Sequence, residues 1–324
     1  MAIIYGRAET EKDLLSNFPN SINKFEDIDT AHQELKDHLN NAKKDFSEKL
    51  PNKIKEEEKA LEKIKNDKNI TIQNFDEKIK NLEKEKTKGG FSSISAPIKI
   101  SFVKNFSKRR KLNQIKNLQE KQQKQLSEWK ENPDGIFNKL QSNTIQDIKY
   151  FDKIKQSPIH AGAKGEIQAL KKLSELNDDY HILCGITAEL PHYVTYNGRK
   201  NLRSAQLDFV VISKKGIILV EVKNWSDKFY HEANKIRPHE QVDRAARVLW
   251  ITIKSRWGWF KTQTPRVTSV LLSIQGNMRY DPNYRFVMIS DLDKINYFIE
   301  NRKEELSDKD VKKLVNMLKD HVTK

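Results

Sequence analysis

The sequence predicts a chain of two parts. An α-helical arm is expected over residues 1–156, and an α/β or α+β domain with a mixed sheet flanked by helices over residues 157–324. Three observations carry this. Composition changes near Ser157-Pro158, before which apolar residues are sparse among Lys, Glu, Asn and Gln. In the first part the apolar residues step by three or four, the spacing of a helix. In the second part, apolar runs of strand length alternate with longer helical patterns, the order of a layered domain.

In the arm, Leu35, Leu39, Ala42, Phe46 and Leu50 form one narrow helical stripe. Leu61 and Ile64 continue it, then Ile72, Phe75, Ile79 and Leu82. Pro51 marks where one helix is expected to end and the next to begin. The stretch GGFSSISAP, with Gly89 and Gly90, reads as a break, and PIKISFV after it as a short strand or docking segment. A helix resumes from about Ser107 to Trp129. The pattern describes an antiparallel helical hairpin or a coiled coil. It would act as a spacer or a homodimer contact, or would grip DNA or sense a partner.

In the second part, HAGAKGEIQALKKLSEL is a helix whose apolar face is Ala161, Ile167, Leu170, Leu173 and Leu176. HILCGITAEL is a short strand region. LDFVVIS and GIILVEV are strands joined through Lys214, Lys215 and Gly216 in a tight hairpin. EQVDRAARVLWITIK is a helix, RVTSVLLSI and YRFVMIS are strands, and DKDVKKLVNMLKDHV closes the chain as a helix.

The 324 residues carry a formal charge of +15. That excess suits a polyanionic partner, most simply nucleic acid, although a solvated Lys-rich surface would have the same charge. It is spread evenly: residues 1–156 hold 32 basic and 25 acidic residues, and residues 157–324 hold 28 and 20. The single Cys184 excludes a disulfide framework and any zinc site built on several thiolates. The start, MAIIYGRAETEKDLL, lacks the features of a signal peptide, and no apolar run is long enough to span a membrane. The expectation is a soluble protein of a reducing cytoplasm, with no membrane partner.

The chemistry gathers in LVEVK. Alternation along the strand sends Leu219, Glu221 and Lys223 one way and Val220 and Val222 the other. Charges in so apolar a strand cost several kcal/mol unless paired or bound to a metal. Asp208 precedes Glu221 by thirteen residues, across the hairpin, so the two carboxylates can meet at one edge of the sheet. Such a pair suits a hard divalent cation, Mg²⁺ or Mn²⁺. A lysine beside them can orient or help deprotonate water and offset charge at a phosphate. The plain alternative is a cross-strand ion pair on an exposed face.

These residues resemble the PD-(D/E)xK nuclease superfamily, whose motif here reads LDFVV…VEVKNW. More narrowly, residues from about 157 to 290 resemble NERD, the nuclease-related domain, through GAKGE at 162–166, QLDFVVISKKGIILVEVKNW at 206–225 and HEQVDRA at 239–245. The resemblance implies a restriction-endonuclease-like core and a metal-dependent DNA endonuclease, in bacterial restriction, anti-phage defence or DNA repair. Residue by residue, it implies Asp208 and Glu221 as metal ligands, with the Val222 carbonyl as a further one. Glu166 would be an additional acid at the metal or its waters, Lys223 the catalytic lysine, and Gln241 a hydrogen-bonding group in the site. Arg244, one turn on, could reach a phosphate. Glu166 could instead be only a helix-terminal acid, and Gly162 and Gly165 could serve helix packing.

Downstream, KSRWGWFKTQTPR interleaves Trp257, Trp259 and Phe260 with Lys254, Arg256, Lys261 and Arg266. The mixture suits base stacking and phosphate contact, or else these aromatics fill the core. His160, His192, His231 and His239 share no ligand spacing. No GxxxxGK[ST] segment occurs, so any ATP dependence or trigger would come from a partner protein. The competing functions are a catalytically silent nucleic-acid-binding or scaffold protein working through its arm, and an RNase.

Overall fold

The apolar runs of the second half become the centre of a six-stranded mixed sheet in the computed structural model, which describes residues 1–18, 21–87, 91–225, 237–257, 263–276 and 278–322. Its strands are β1 (Ile3–Tyr5), β2 (His181–Tyr196), β3 (Arg199–Ser213), β4 (Gly216–Lys223), β5 (Val267–Ser273) and β6 (Val287–Asp291), and they lie in sequence order. β1 is parallel to β2, β2–β3–β4 form an antiparallel meander, and β4, β5 and β6 run parallel.

Both hairpin turns follow from their residues. Asn197 and Gly198 both have positive φ, 49° and 74°, which a two-residue turn matching the strand twist requires. Ser213 pairs with Gly216 across the second turn, where φ is 113° and only glycine fits comfortably. The strand expected at HILCGITAEL is therefore longer than its apolar core, since it continues through the polar outer half of the first hairpin.

Helices cover both faces. On one face, α7 (Pro158–Leu173) and α9 (Leu292–Glu300) bury Ala169, Leu173 and Ile295 against Phe209, Val211, Ile218 and Val220. On the other, α8 (Pro238–Trp257) and α10 (Asp308–Leu318) bury Val242, Leu249 and Leu314 against Val210, Ile212, Ile217 and Leu219. Each such fully buried Val, Leu, Ile or Phe side chain contributes roughly 1.5–3 kcal/mol. β4 is buried from Gly216 through Val222, as a strand covered on both faces must be.

The chain divides into two compact units, Met1–Ala31 with Tyr150–Lys324, and His32–Lys149. This differs from a boundary at residue 156. The first residues join the sheet unit because β1 pairs with β2, and because α1 (Glu9–Leu15) packs on α7.

In the second unit, the expected helix end at Pro51 does not occur: α2 runs without interruption from Phe25 to Lys86. Proline removes one backbone bond, a cost of about 3 kcal/mol that a helix with packing on either side of the site can absorb. PIKISFV is neither strand nor loop. It belongs to α3 (Phe91–Phe102) and a π-helical turn, Val103–Lys108, because local preference is a weak guide where a helix can continue. α4 (Arg109–Glu131) follows, then α5 (Pro133–Leu140) and α6 (Ser142–Lys155). Lys104 pairs with Glu83 at 3.4 Å, Lys108 with Asp76, Gln122 with Glu57 and the Trp129 ring with Phe46. Partner numbers fall as residue numbers rise, so α2 and α4 run antiparallel.

Cys184, on β2, has no exposed surface, and burial, with the Glu166 charge adding to it, pushes its thiol up to about 12. A thiolate-specific reagent at pH 8 should therefore label the native protein orders of magnitude more slowly than the denatured chain. Comparable rates in the two states, followed by absorbance, would contradict this packing.

Candidate active site

Asp208 and Glu221 meet where β3 and β4 part. The antiparallel register places them opposite one another, one step beyond the last pair, Phe209 with Val220. At that step the ladder is replaced by a side chain: the Val222 N–H donates to Asp208 Oδ2 at 2.7 Å. N–H and C=O of one strand residue leave along the same edge. The Val222 carbonyl therefore faces Asp208, while Lys223 faces the other way and accepts from the Ile274 N–H at 3.0 Å. Opposite Asp208 on β2 stands Gly185, in the left-handed region at φ 59°, between the pairs Cys184–Phe209 and Ile186–Leu207.

Glu221 is 1% exposed, and its Oε2 is buried with no hydrogen-bond partner among the described residues. Its Oε1 accepts from the Lys223 ammonium at 2.8 Å, the same-face pair that strand alternation requires. The ammonium also lies 5.8 Å from the centre of the Trp225 ring. Burial alone would lower the lysine's pKa. The charges of Glu221 and Asp208 outweigh it and hold Lys223 above its ordinary value, firmly protonated.

Glu166 reaches the cluster from α7, and the two glycines before it explain how. A Cβ on Gly165 would lie 2.6 Å from Cβ of Asn224, just past β4. A Cβ on Gly162 would lie 3.1 Å from Cγ2 of Thr10 in α1. The glycines thus serve close packing, and Asn224 secures the contact by donating to the Ala161 carbonyl at 2.7 Å. Both Glu166 oxygens are engaged by Thr10, whose N–H donates to Oε2 at 3.2 Å and whose hydroxyl donates to Oε1. Burial first, then the charge of Glu221, raises Glu166 to about 7 against the pull of the Thr10 hydrogen bonds. Asp208 is raised well above the usual carboxylate range by lost hydration, then by Glu221 and Glu166.

Fully ionised, three acids against one lysine would carry an excess of two negative charges; the raised carboxyls of Asp208 and Glu166 resist that build-up, and a divalent cation would offset it. The Glu221 oxygen that has no partner among the described residues and the Val222 carbonyl, on the strand edge that faces Asp208, fit such an ion, with Asp208 as partner. Among the described residues, however, no three Asp, Glu, His or Cys side chains gather at ligand spacing. The reason lies in Glu166, whose oxygens are turned to Thr10. Glu166 thus stands beside Asp208 and Glu221 with both oxygens engaged by Thr10.

The remaining candidates fall elsewhere. Gln241 is exposed in the first turn of α8, and among the described residues its side chain makes no hydrogen bond to the acids. Arg244 lies 5.2 Å from the Tyr196 ring and donates to the Asn201 carbonyl at 3.3 Å, so it braces the β2–β3 hairpin. Lys254 lies over Trp250, and Arg256 contacts His321 at 2.7 Å. Trp257 is 3% exposed in the core, covered by Lys313. Arg266 is exposed beside the start of β5, which pairs with the start of β4. That is the end of the strand opposite Lys223, roughly 20 Å away. Trp259, Phe260, Lys261 and His231 lie outside the described residues. Thr10 and Asn224 escaped a reading by motif. Thr10 is 156 residues from its partner, and no local pattern marks it.

Fold and site together define a protein with a mixed sheet covered by helices, whose central hairpin brings buried Glu221, half-buried Asp208 and Lys223 together where β3 and β4 part. Residues 161–271 match the family model of NERD, the nuclease-related domain, which indicates a nuclease-related function for that segment. No curated protein and no solved structure matches the chain significantly. No described helix is long and apolar enough to cross a membrane.

Two outcomes follow. Gly165→Ala should cost about 1–3 kcal/mol in denaturant unfolding, because the new methyl meets Asn224 Cβ rather than a flexible side-chain end. Asp208→Asn keeps an acceptor for the Val222 N–H while removing a charge. Because the folded-state pKa of Asp208 is raised, the wild type loses stability as pH rises above the unfolded carboxylate range. In EDTA the variant should thus melt at the wild-type temperature near pH 4 and about 2–4 °C higher at pH 7. Mn²⁺ should stabilise the wild type alone; equal stabilisation of both would remove Asp208 from the metal site.

Proposed function

We propose that the protein is a metal-dependent DNA endonuclease that hydrolyses phosphodiester bonds, with Mg²⁺ or Mn²⁺ as its ion. The observation that supports this reading is the juxtaposition of Asp208, Glu221 and Lys223 at the edge where β3 and β4 part, within a nuclease-related domain. Asp208, Glu221 and the Val222 carbonyl would hold the ion. When bound, it would supply charge neutralisation at the phosphate and a more acidic water.

The chain's own residues set the rest of the chemistry. Lys223 stays protonated between Glu221 and Asp208, so it contributes positive charge where negative charge develops on the phosphate, rather than taking a proton from water. Glu221 aims the ammonium, at 2.8 Å. Thr10 fixes Glu166, whose carboxyl, raised to about 7, can exchange a proton near neutral pH. The net charge of +15 favours approach of a polyanion.

One observation favours a second reading, a nucleic-acid-binding protein that does not cut: the absence of three ligating side chains at metal spacing among the described residues. The two readings separate on plasmid, linear and single-stranded DNA, and on RNA, each with Mg²⁺, Mn²⁺ or EDTA. Wild type should nick DNA with metal only, and Lys223→Ala should lose at least 10²-fold in rate while still binding metal. Cleavage undiminished in Lys223→Ala would refute the assigned site; binding without cleavage under every condition would favour the second reading.

A further inference from the structure

From Lys99 to Lys116 the sequence holds seven Lys or Arg and no Asp or Glu. That local excess is hidden in the even balance of the whole chain, and it coincides with an irregular piece of helix. At the π-helical turn Val103–Lys108 the rings of Phe102 and Phe106 stack, with centres 5.4 Å apart and planes 24° from parallel. Both rings face solvent, at 59% and 57% exposure. π-helical turns interrupt regular bonding at a cost, and they occur frequently at functional sites.

The stacked rings border a cavity of about 580 Å³ between α2 and the α3–α4 segment, lined also by Phe75, Lys78, Arg110 and Lys111. Lys78, Arg110 and Lys111 are exposed and have no ion-pair partner among the described residues, whereas Lys104 and Lys108 are spent on Glu83 and Asp76. The side-chain amides of Asn74, on α2, and Gln114, on α4, also line the cavity and carry donors and acceptors suited to base edges.

We propose that this cavity in the helical unit is a second nucleic-acid site, one that takes unpaired bases of a single strand between its aromatic rings and its cationic rim. Phe102 and Phe106 supply the stacking faces, and Lys78, Arg110 and Lys111 meet the backbone phosphates. Open aromatic faces beside unpaired cations are the combination that holds single strands with little regard to sequence. An anionic membrane would also attract the charge. A flat surface cannot enter a concavity of this size, however, and has no use for the amides.

The site goes beyond the proposed cleavage and stands whether or not the chain cuts. The test uses the full chain in EDTA, which stops metal-dependent cleavage, and a fluorescein-labelled dT20. Phe102→Ala/Phe106→Ala should bind roughly tenfold more weakly or worse. Arg110→Gln/Lys111→Gln should flatten the dependence of log affinity on log salt by about 1.4, at about 0.7 per phosphate contact on single strands. A 5-iodouracil oligonucleotide should crosslink to a peptide containing Phe102–Lys111. All four side chains are exposed, and circular dichroism checks that the variants fold. Unchanged dT20 affinity in both variants, with crosslinks only elsewhere, would overturn the proposal. So would binding to phosphatidylglycerol vesicles that depends on the two Phe residues while dT20 binding does not.

Discussion

The buried pair of Glu221 and Lys223 is the constraint around which the sheet unit is arranged. β4 is apolar and covered from Gly216 through Val222, so a carboxylate inside it loses its hydration, and the Lys223 ammonium at 2.8 Å offsets part of that loss. One glutamate oxygen has no partner among the described residues, and Asp208 adds a second carboxylate directly across. A plain structural ion pair would balance its charges. This cluster does not, and folding stability is the cost that an apolar sheet on both sides can carry.

That cost explains the close approach of the surrounding elements. α7 can bring Glu166 near β4 only because Gly165 has no side chain to strike Asn224, and α1 can reach Glu166 only because Gly162 leaves room for Thr10. The hydrogen bonds from Thr10 then oppose the rise in the glutamate's pKa and fix its carboxyl. A motif that reads as a run of small residues before an acid is thus two packing contacts that position a third.

The strand residues were legible because they combine two signals that rarely coincide, a fully apolar hairpin and charges at alternate positions within it. That Asp208, Glu221 and Lys223 lie together could be read from those alone, and the layered order of helices and strands followed from apolar periodicity. The outer half of the β2–β3 hairpin is polar, and its Asn197-Gly198 turn was the available signal for it. The helical unit was less legible. Pro51 and the β-branched PIKISFV are local preferences that a continuing helix overrides, and sequence offers no measure of that competition. The aromatic and basic residues at 254–266 divide: Trp257 fills the core, one of the two readings its type allowed, and Arg266 stands at the far end of the sheet.

Contacts distant in sequence were the least visible, and they alter what the domain is. β1 extends the sheet beside β2, and α1 closes over α7, so the first 31 residues belong with the nuclease-related segment although more than a hundred residues of helix intervene. Residues 161–271 supply the carboxylates and the lysine, but the group that holds Glu166 lies outside them, on Thr10. A segment cut at the boundaries of the family match would keep every residue of the motif. It would still lose the hydrogen bonds that set one of the acids, because the site depends on a contact that the motif does not contain.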